Sequence, residues 1–136
     1  MMKSISQMIG LAIAKASAQI TGSGTGTLIL DVKDYKSVCF VIYPTTVAAA
    51  DADNKMAFTV QEGDSALGYD MADVASDRYH DSYTCDDTAD ANTVNKVGVS
   101  VGNKRYMRLK WTETGTADMT FSAIAVLGGP AEAPVS

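Results

Sequence analysis

The chain is poor in the residues that most reactions need. Among 136 residues there is one histidine, His80, and there are two cysteines, Cys39 and Cys85, and three prolines. A single histidine argues against His-based zinc sites, and Cys39, His80 and Cys85 lack the spacing of a zinc motif. A Ser/Cys–His–Asp arrangement around His80, Asp81, Ser82 and Cys85 is possible on paper, but no Gly-x-Ser-x-Gly elbow accompanies it. His80 is therefore expected to be a solvated loop residue. The two cysteines are expected to be reduced thiols, one of them buried, because one pair does not make a disulfide framework. Basic residues are also scarce, 11 against 16 acidic ones for a net charge of −5. That balance argues against a general nucleic-acid binder, which needs clustered Lys and Arg. No apolar run reaches the roughly 20 residues of a membrane span. The start of the chain is no convincing export signal either: Ile5 to Ile20 is interrupted by Ser6, Gln7, Gly10, Lys15 and Gln19.

What remains is rich in Thr, Val, Ala, Gly and Asp, a balance of strand formers and turn formers. The clearest stretch runs from Val97 to Trp111. Val97, Val99 and Val101 alternate with Gly98 and Ser100. Arg105, Met107, Leu109 and Trp111 then alternate with Tyr106, Arg108 and Lys110. Gly102-Asn103 between the two runs reads as the tight turn of a β-hairpin.

Other strands are expected over Thr27 to Val32, Ser37 to Tyr43, Met56 to Glu62 and Met119 to Leu127. A short one is expected within the irregular stretch Ala66 to Asp90. Ser37 to Tyr43 is apolar on both faces, so it should be central and covered on both sides, with Pro44 ending it. Gly22, Gly24 and Gly26 sit in a Thr/Gly/Ser connector that should be flexible. It is not a phosphate loop, because a strand follows it and no Lys-Ser/Thr helix does. The run Asp86-Asp87-Thr88-Ala89-Asp90-Ala91-Asn92 supplies oxygen ligands but not the spacing of a calcium loop. It reads as a charged surface loop.

The sum is an all-β domain, a small β-sandwich or barrel of six to seven antiparallel strands. The expected organisation is an N-terminal arm over 1–21, the β domain over 22–130 and a short tail over 131–136. The arm carries Ile5, Ile9, Leu11 and Ile13, whose spacing suits either a helix by fours or an extended strand by twos. It should pack on its own domain or on a neighbouring subunit. Lys104, Arg105, Arg108 and Lys110 read as a solvated strand face opposing acidic loops, or as an interface with an acidic partner.

Several segments, taken in order, resemble a family of small virion structural proteins of tailed bacteriophages. They are Thr25-Gly26-Thr27-Leu28-Ile29-Leu30-Asp31, Tyr35 to Ile42, Phe58 to Asp64, Ala72 to Ala75, Asn95 to Arg108 and Ala123 to Gly128. Val97-Gly-Val-Ser-Val-Gly-Asn-Lys-Arg-Tyr106 is the most distinctive. The resemblance spans roughly residues 20 to 130 and carries no catalytic residue. It implies a capsid decoration (cement) protein without enzymatic activity or cofactor. Such a protein would be made in the host cytoplasm and would sit on the capsid surface of the virion. Its partners would be the major capsid protein and other copies of itself, as a dimer or trimer, and neither nucleic acid nor membrane. The expected contacts are Ile5, Ile9, Leu11 and Ile13 of the arm and Tyr106, Arg108 and Lys110 of the hairpin. A neck or tail component is the alternative within the virion. Outside that class stands a carbohydrate-binding sandwich with Tyr69, Tyr79, Tyr83 or Trp111 as stacking platforms.

Overall fold

The computed structural model describes residues 10 to 130. They form two antiparallel sheets and two short 3₁₀ turns, Ser76–Arg78 and Thr88–Asp90. The strands are β1 (Gly10–Ile20), β2 (Gly24–Thr25), β3 (Leu30–Asp31), β4 (Tyr35–Ala49), β5 (Lys55–Gly63), β6 (Ala72–Asp73), β7 (Tyr79–Asp81), β8 (Tyr83–Cys85), β9 (Asn95–Ser100), β10 (Tyr106–Thr114) and β11 (Asp118–Pro130). The first sheet has the order β1-β11-β4-β9-β7. The second runs β2-β10-β5-β6, with β3 also on β10 and β8 also on β5.

Two apolar faces close on each other because the long strands alternate. In β4, Val38, Phe40 and Ile42 are buried, as are Met119, Phe121, Ala123, Ala125 and Leu127 of β11. The facing sheet contributes Met56, Phe58 and Val60 of β5 and Met107, Leu109 and Trp111 of β10. Phe121 stands at the centre, edge-on to Phe58 at 5.1 Å and to Trp111 at 5.2 Å. Edge-to-face contact adds roughly 1 kcal/mol per pair beyond the area buried.

The all-β sandwich expected from the sequence is thus present, and its wrapping is specific. Taken as single interrupted strands, β2/β3 and β6/β8 join β1, β4, β5, β9, β10 and β11 to give eight, with β7 an added edge. Most connections between them cross from one sheet to the other. That order is a jelly roll, the two-sheet, double Greek-key solution to the edge-strand problem.

This wrapping corrects the expected hairpin. β9 pairs with β4 and β7, whereas β10 pairs with β5, β2 and β3, so the two runs lie on opposite sheets. A two-residue hairpin turn needs left-handed backbone. Positive φ occurs at Asp34, Asn92, Gly22, Gly68, Gly115 and Gly129, and not at Gly102 or Asn103. The segment between the runs crosses the end of the sandwich. There Val101 N–H donates to Lys36 O at 2.8 Å and Val32 N–H to Arg105 O at 2.8 Å.

Other boundaries shift for local reasons. Pro44 lies inside β4, which runs on to Ala49. It sits just past Ile42, where β9 stops pairing, beside a bulge opposite Phe121, so its missing N–H leaves no gap in the ladder. The Gly-rich connector is pinned rather than loose. Gly26 N–H donates to Leu109 O at 2.8 Å, and Gly24 and Thr25 pair with β10. In the strand expected over Thr27 to Val32, Leu30 and Val32 are buried and Leu28 is exposed.

Candidate assembly surfaces

Tyr106, Arg108 and Lys110 share the outward face of β10, each half-buried, while Met107, Leu109 and Trp111 point into the core. The outward charges are held by the strands beside them. Arg108 Nε donates to Gln61 Oε1 at 2.9 Å, directly across the β10–β5 register. Lys110 Nζ bonds Asp73 Oδ1 at 3.1 Å. At the end of the strand, Arg105 bonds Asp31 at 2.9 Å and lies 5.3 Å over the Tyr106 ring, and Lys104 bonds Asp64 at 2.9 Å. Lys104, Arg105 and Lys110 thus meet carboxylates of the neighbouring strands and turn, and Arg108 meets a neutral amide. The Arg105 hydrogen bond holds Asp31 below the usual carboxylate range, and the Lys110 hydrogen bond does the same for Asp73.

A firmer ion pair closes the sandwich end and was not foreseen. Arg78 Nη1 and Nη2 meet Glu62 Oε2 and Oε1 at 2.7 and 2.8 Å, while Nη2 also donates to Ser100 O at 2.9 Å. Glu62 belongs to β5 and Ser100 to β9, so one planar guanidinium ties the two sheets together. The signal was hidden because Arg78 lies in an irregular segment and only the wrapping brings it over β9.

Of the arm residues, Leu11 and Ile13 lie on β1, and Ile5 and Ile9 fall outside the described residues. The extended reading holds for residues 10–20, which form an edge strand on β11 of their own sheet. Leu11 and Ile13 point away from the core and are 73% and 58% exposed. The register sets them in two outward rows. Leu11 lies beside Val126, Cys39, Gly98 and Asp81, and Ile13 beside Ile124, Val41 and Lys96. Tyr43, beside Ser122, continues the face. The double-sided apolar pattern of Ser37 to Tyr43 therefore does not mean cover on both sides. Within this chain the outer face of β4 is only half-buried, and Ile124 is 46% exposed.

The residues with reactive chemistry are dispersed or occupied. His80 is exposed on β7 and lies 2.6 Å from Ser100 Oγ. Cys85 is buried in the core, Cys39 is half-buried on the outer face, and both are free thiols. Asp87 caps the second 3₁₀ turn by accepting from Ala89 N–H.

Three of the four aromatic residues suggested as sugar platforms serve the fold. Tyr79 Oη accepts from Val60 N–H at 2.8 Å, filling the gap on β5 between β8 and β6. Tyr83 stacks on Phe58 at 5.4 Å and donates to Asp90 at 3.0 Å. Trp111 is buried, and Tyr69 is exposed. An open cleft of about 350 Å³ runs past Tyr79, Val74, Ser76 and Tyr83. Its floor is the same gap on β5.

No protein-family model matches the chain, and no curated protein matches it either. Solved structures are similar to it at low identity. The SPBc2 prophage-derived protein YomS is 10% identical with a TM-score of 0.48, over 87% of this chain and 92% of that one. The VP2 subviral particle of infectious bursal disease virus is 10% identical with a TM-score of 0.54, over 90% of this chain. The chain spans only about a third of VP2, 33% of its length. A Gx-strain structure of the same virus is 14% identical with a TM-score of 0.44, over 93% of this chain and 34% of that one. Of these, the VP2 likeness carries the fold and nothing further.

Proposed function

We propose that this chain is a bacteriophage virion structural protein, a decoration (cement) protein on the outer surface of the head that stabilises contacts between major capsid proteins. The observation that carries the reading is the outward row of β10. Tyr106, Arg108 and Lys110 each meet a neighbouring side chain, Arg105, Gln61 and Asp73, so the face is partly ordered before it meets a partner. Docking a partly ordered face costs less side-chain entropy, and many weak copies on one shell add up through avidity. The ordered series of phage-like segments and the jelly-roll wrapping support the same class. On this reading the chain works through its surfaces, as an oligomer in the virion, and catalyses nothing.

The test is made on particles. Heads assembled without the protein should lose infectivity at a lower temperature than complete heads, and adding purified protein should restore them. An Arg108→Glu, Lys110→Glu variant should bind such heads at least tenfold more weakly. Equal heat resistance with and without the protein refutes the cement role. A copy number near a dozen, the closed symmetry of a neck ring, assigns it to the neck or tail instead.

A further inference from the structure

We propose that the outer face of the five-stranded sheet, centred on Ile13, Ile124 and Val41, is a self-association surface covered by the same face of a second copy of this chain. It lies on the opposite side of the sandwich from Tyr106, Arg108 and Lys110, and it stands independently of the virion reading.

Composition comes first. An outward sheet face bathed in water normally alternates polar residues against the buried ones. Here two adjacent rows are apolar across three strands: Leu11, Val126 and Cys39 in one, Ile13, Ile124 and Val41 in the other. Ser37 and Gly128 bound the patch at one end of the strands, and Ser122 and Thr120, with the phenol of Tyr43 beside Ser122, bound it at the other. An apolar centre with a polar rim is the anatomy of an interface.

Size comes second. Four strands about 4.8 Å apart and about six residues deep, at about 3.3 Å per residue, give about 19 by 20 Å, and the three residues of β7 widen the face at one edge. That is a flat footprint on the order of 400 Å², before side-chain relief is counted. A standard interface takes about 800 Å² from each partner, so a self-dimer on this face belongs to the small, weak class that dissociates on dilution.

Charge comes third, and it selects a second copy. The two charges beside the patch are Lys96 and Asp81, on adjacent strands and in adjacent rows, both exposed. A two-fold axis across the strands, between the two rows, lays β9 of one copy over β9 of the other. It sets Leu11 against the second copy's Ile13, Val126 against its Ile124 and Cys39 against its Val41. The same operation carries the second copy's Lys96 over Gly98, where the Asp81 carboxylate of the first copy lies 3.2 Å from where a Gly98 Cβ would be. The pairing occurs twice by symmetry, as an isologous contact requires.

The full chain at about 1 to 200 µM provides the test, by sedimentation velocity together with the alkylation rate of Cys39. Cys39 lies in the proposed interface, whereas Cys85 is buried in the core. The expected result is a monomer–dimer equilibrium, with Cys39 alkylation slowing several-fold as dimer forms. Ile124→Lys should weaken the dimer at least tenfold and restore fast Cys39 labelling at high concentration. Its melting temperature under monomeric conditions should stay within a few degrees of the parent. Lys96→Asp should weaken the dimer, and Lys96→Asp with Asp81→Lys should recover it. A monomer at every concentration with uniformly fast labelling overturns the proposal. So does a dimer indifferent to Ile124→Lys but broken by Arg108→Glu. A monomer whose Cys39 labelling slows only on binding to heads would give the face to the capsid and overturn it as well.

Discussion

Single residues in this fold are constrained mostly by how closely backbones approach. Gly26 is buried, and a Cβ there would lie 2.7 Å from Ala14 O, a backbone atom of the edge strand that cannot move alone. Gly26→Ala should therefore destabilise the protein by about 1–3 kcal/mol, the usual cost of overpacking, read from chemical denaturation. The sequence suggested a loose linker here because Gly, Ser and Thr are also the residues of linkers. Nothing local says that β1 will lie against it. Arg78 makes the same point through charge. Its guanidinium reaches two strands of opposite sheets and lies where a Cβ on Gly102 would be 2.9 Å away. Arg78→Lys keeps the charge but loses the planar fork, and it should lower stability by about 1–2 kcal/mol. If the melting temperature is unchanged, the guanidinium is not what ties the two sheets together.

At the scale of elements, alternation within each strand was legible and choice of neighbour was not. Met56, Phe58 and Val60 face the core as expected, and so do Met107, Leu109 and Trp111. Period-two patterning reports which side is buried but does not report which sheet buries it, so β9 and β10 read as a hairpin. The tight-turn residues Gly102-Asn103 reinforced that error, since such residues also suit an open crossing. β1 was ambiguous between helix and strand because Ala and Ile fit both. Its pairing with β11 decides the matter, and bulges between Ile13 and Lys15 and between Lys15 and Ala18 bend its second half.

Lys15 then turns toward the core side, its Nζ 5.1 Å from the Phe121 ring and 6.0 Å from that of Trp111, and desolvation lowers its pKa. An inward-pointing lysine on a bulged edge strand discourages unwanted strand pairing. Lys15→Val should raise the melting temperature slightly and also increase light scattering at high concentration. A variant that stays as dispersed as the parent would show that the bulges alone protect the edge.

For the molecule as a whole, fold class was legible and the candidate surfaces only partly so. The β10 face could be read because charge and alternation coincide there. The apolar outer face could not, since a strand apolar on both sides looks the same whether its second cover is the same chain or another. The titrating groups act together at this scale. Asp31, Asp51, Asp70 and Asp73 have pKa values below the ordinary 3.8, held down chiefly by Arg105, by backbone N–H groups of Asp53 and Asp64, and by Lys110. A lowered folded pKa contributes stability that is present above about pH 4 and is lost as the pH falls further. Burial raises Tyr79, Tyr83, Cys39 and Cys85 above their ordinary values of 10.0 and 9.0. That contribution is complete below about pH 9 and is lost above it. The melting temperature should therefore be level between about pH 5 and 8 and fall on both sides. A steady rise from pH 8 to 11 would contradict this.

β11, the last strand of the described chain, lies between β1 and β4 rather than at an edge. A polypeptide growing from its N-terminus cannot complete that sheet until residues 118–130 have emerged. Until then the inner apolar sides of β1 and β4 have no neighbour between them. Such an order of assembly predicts late, cooperative folding after synthesis, and a nascent chain that depends on chaperones while it waits.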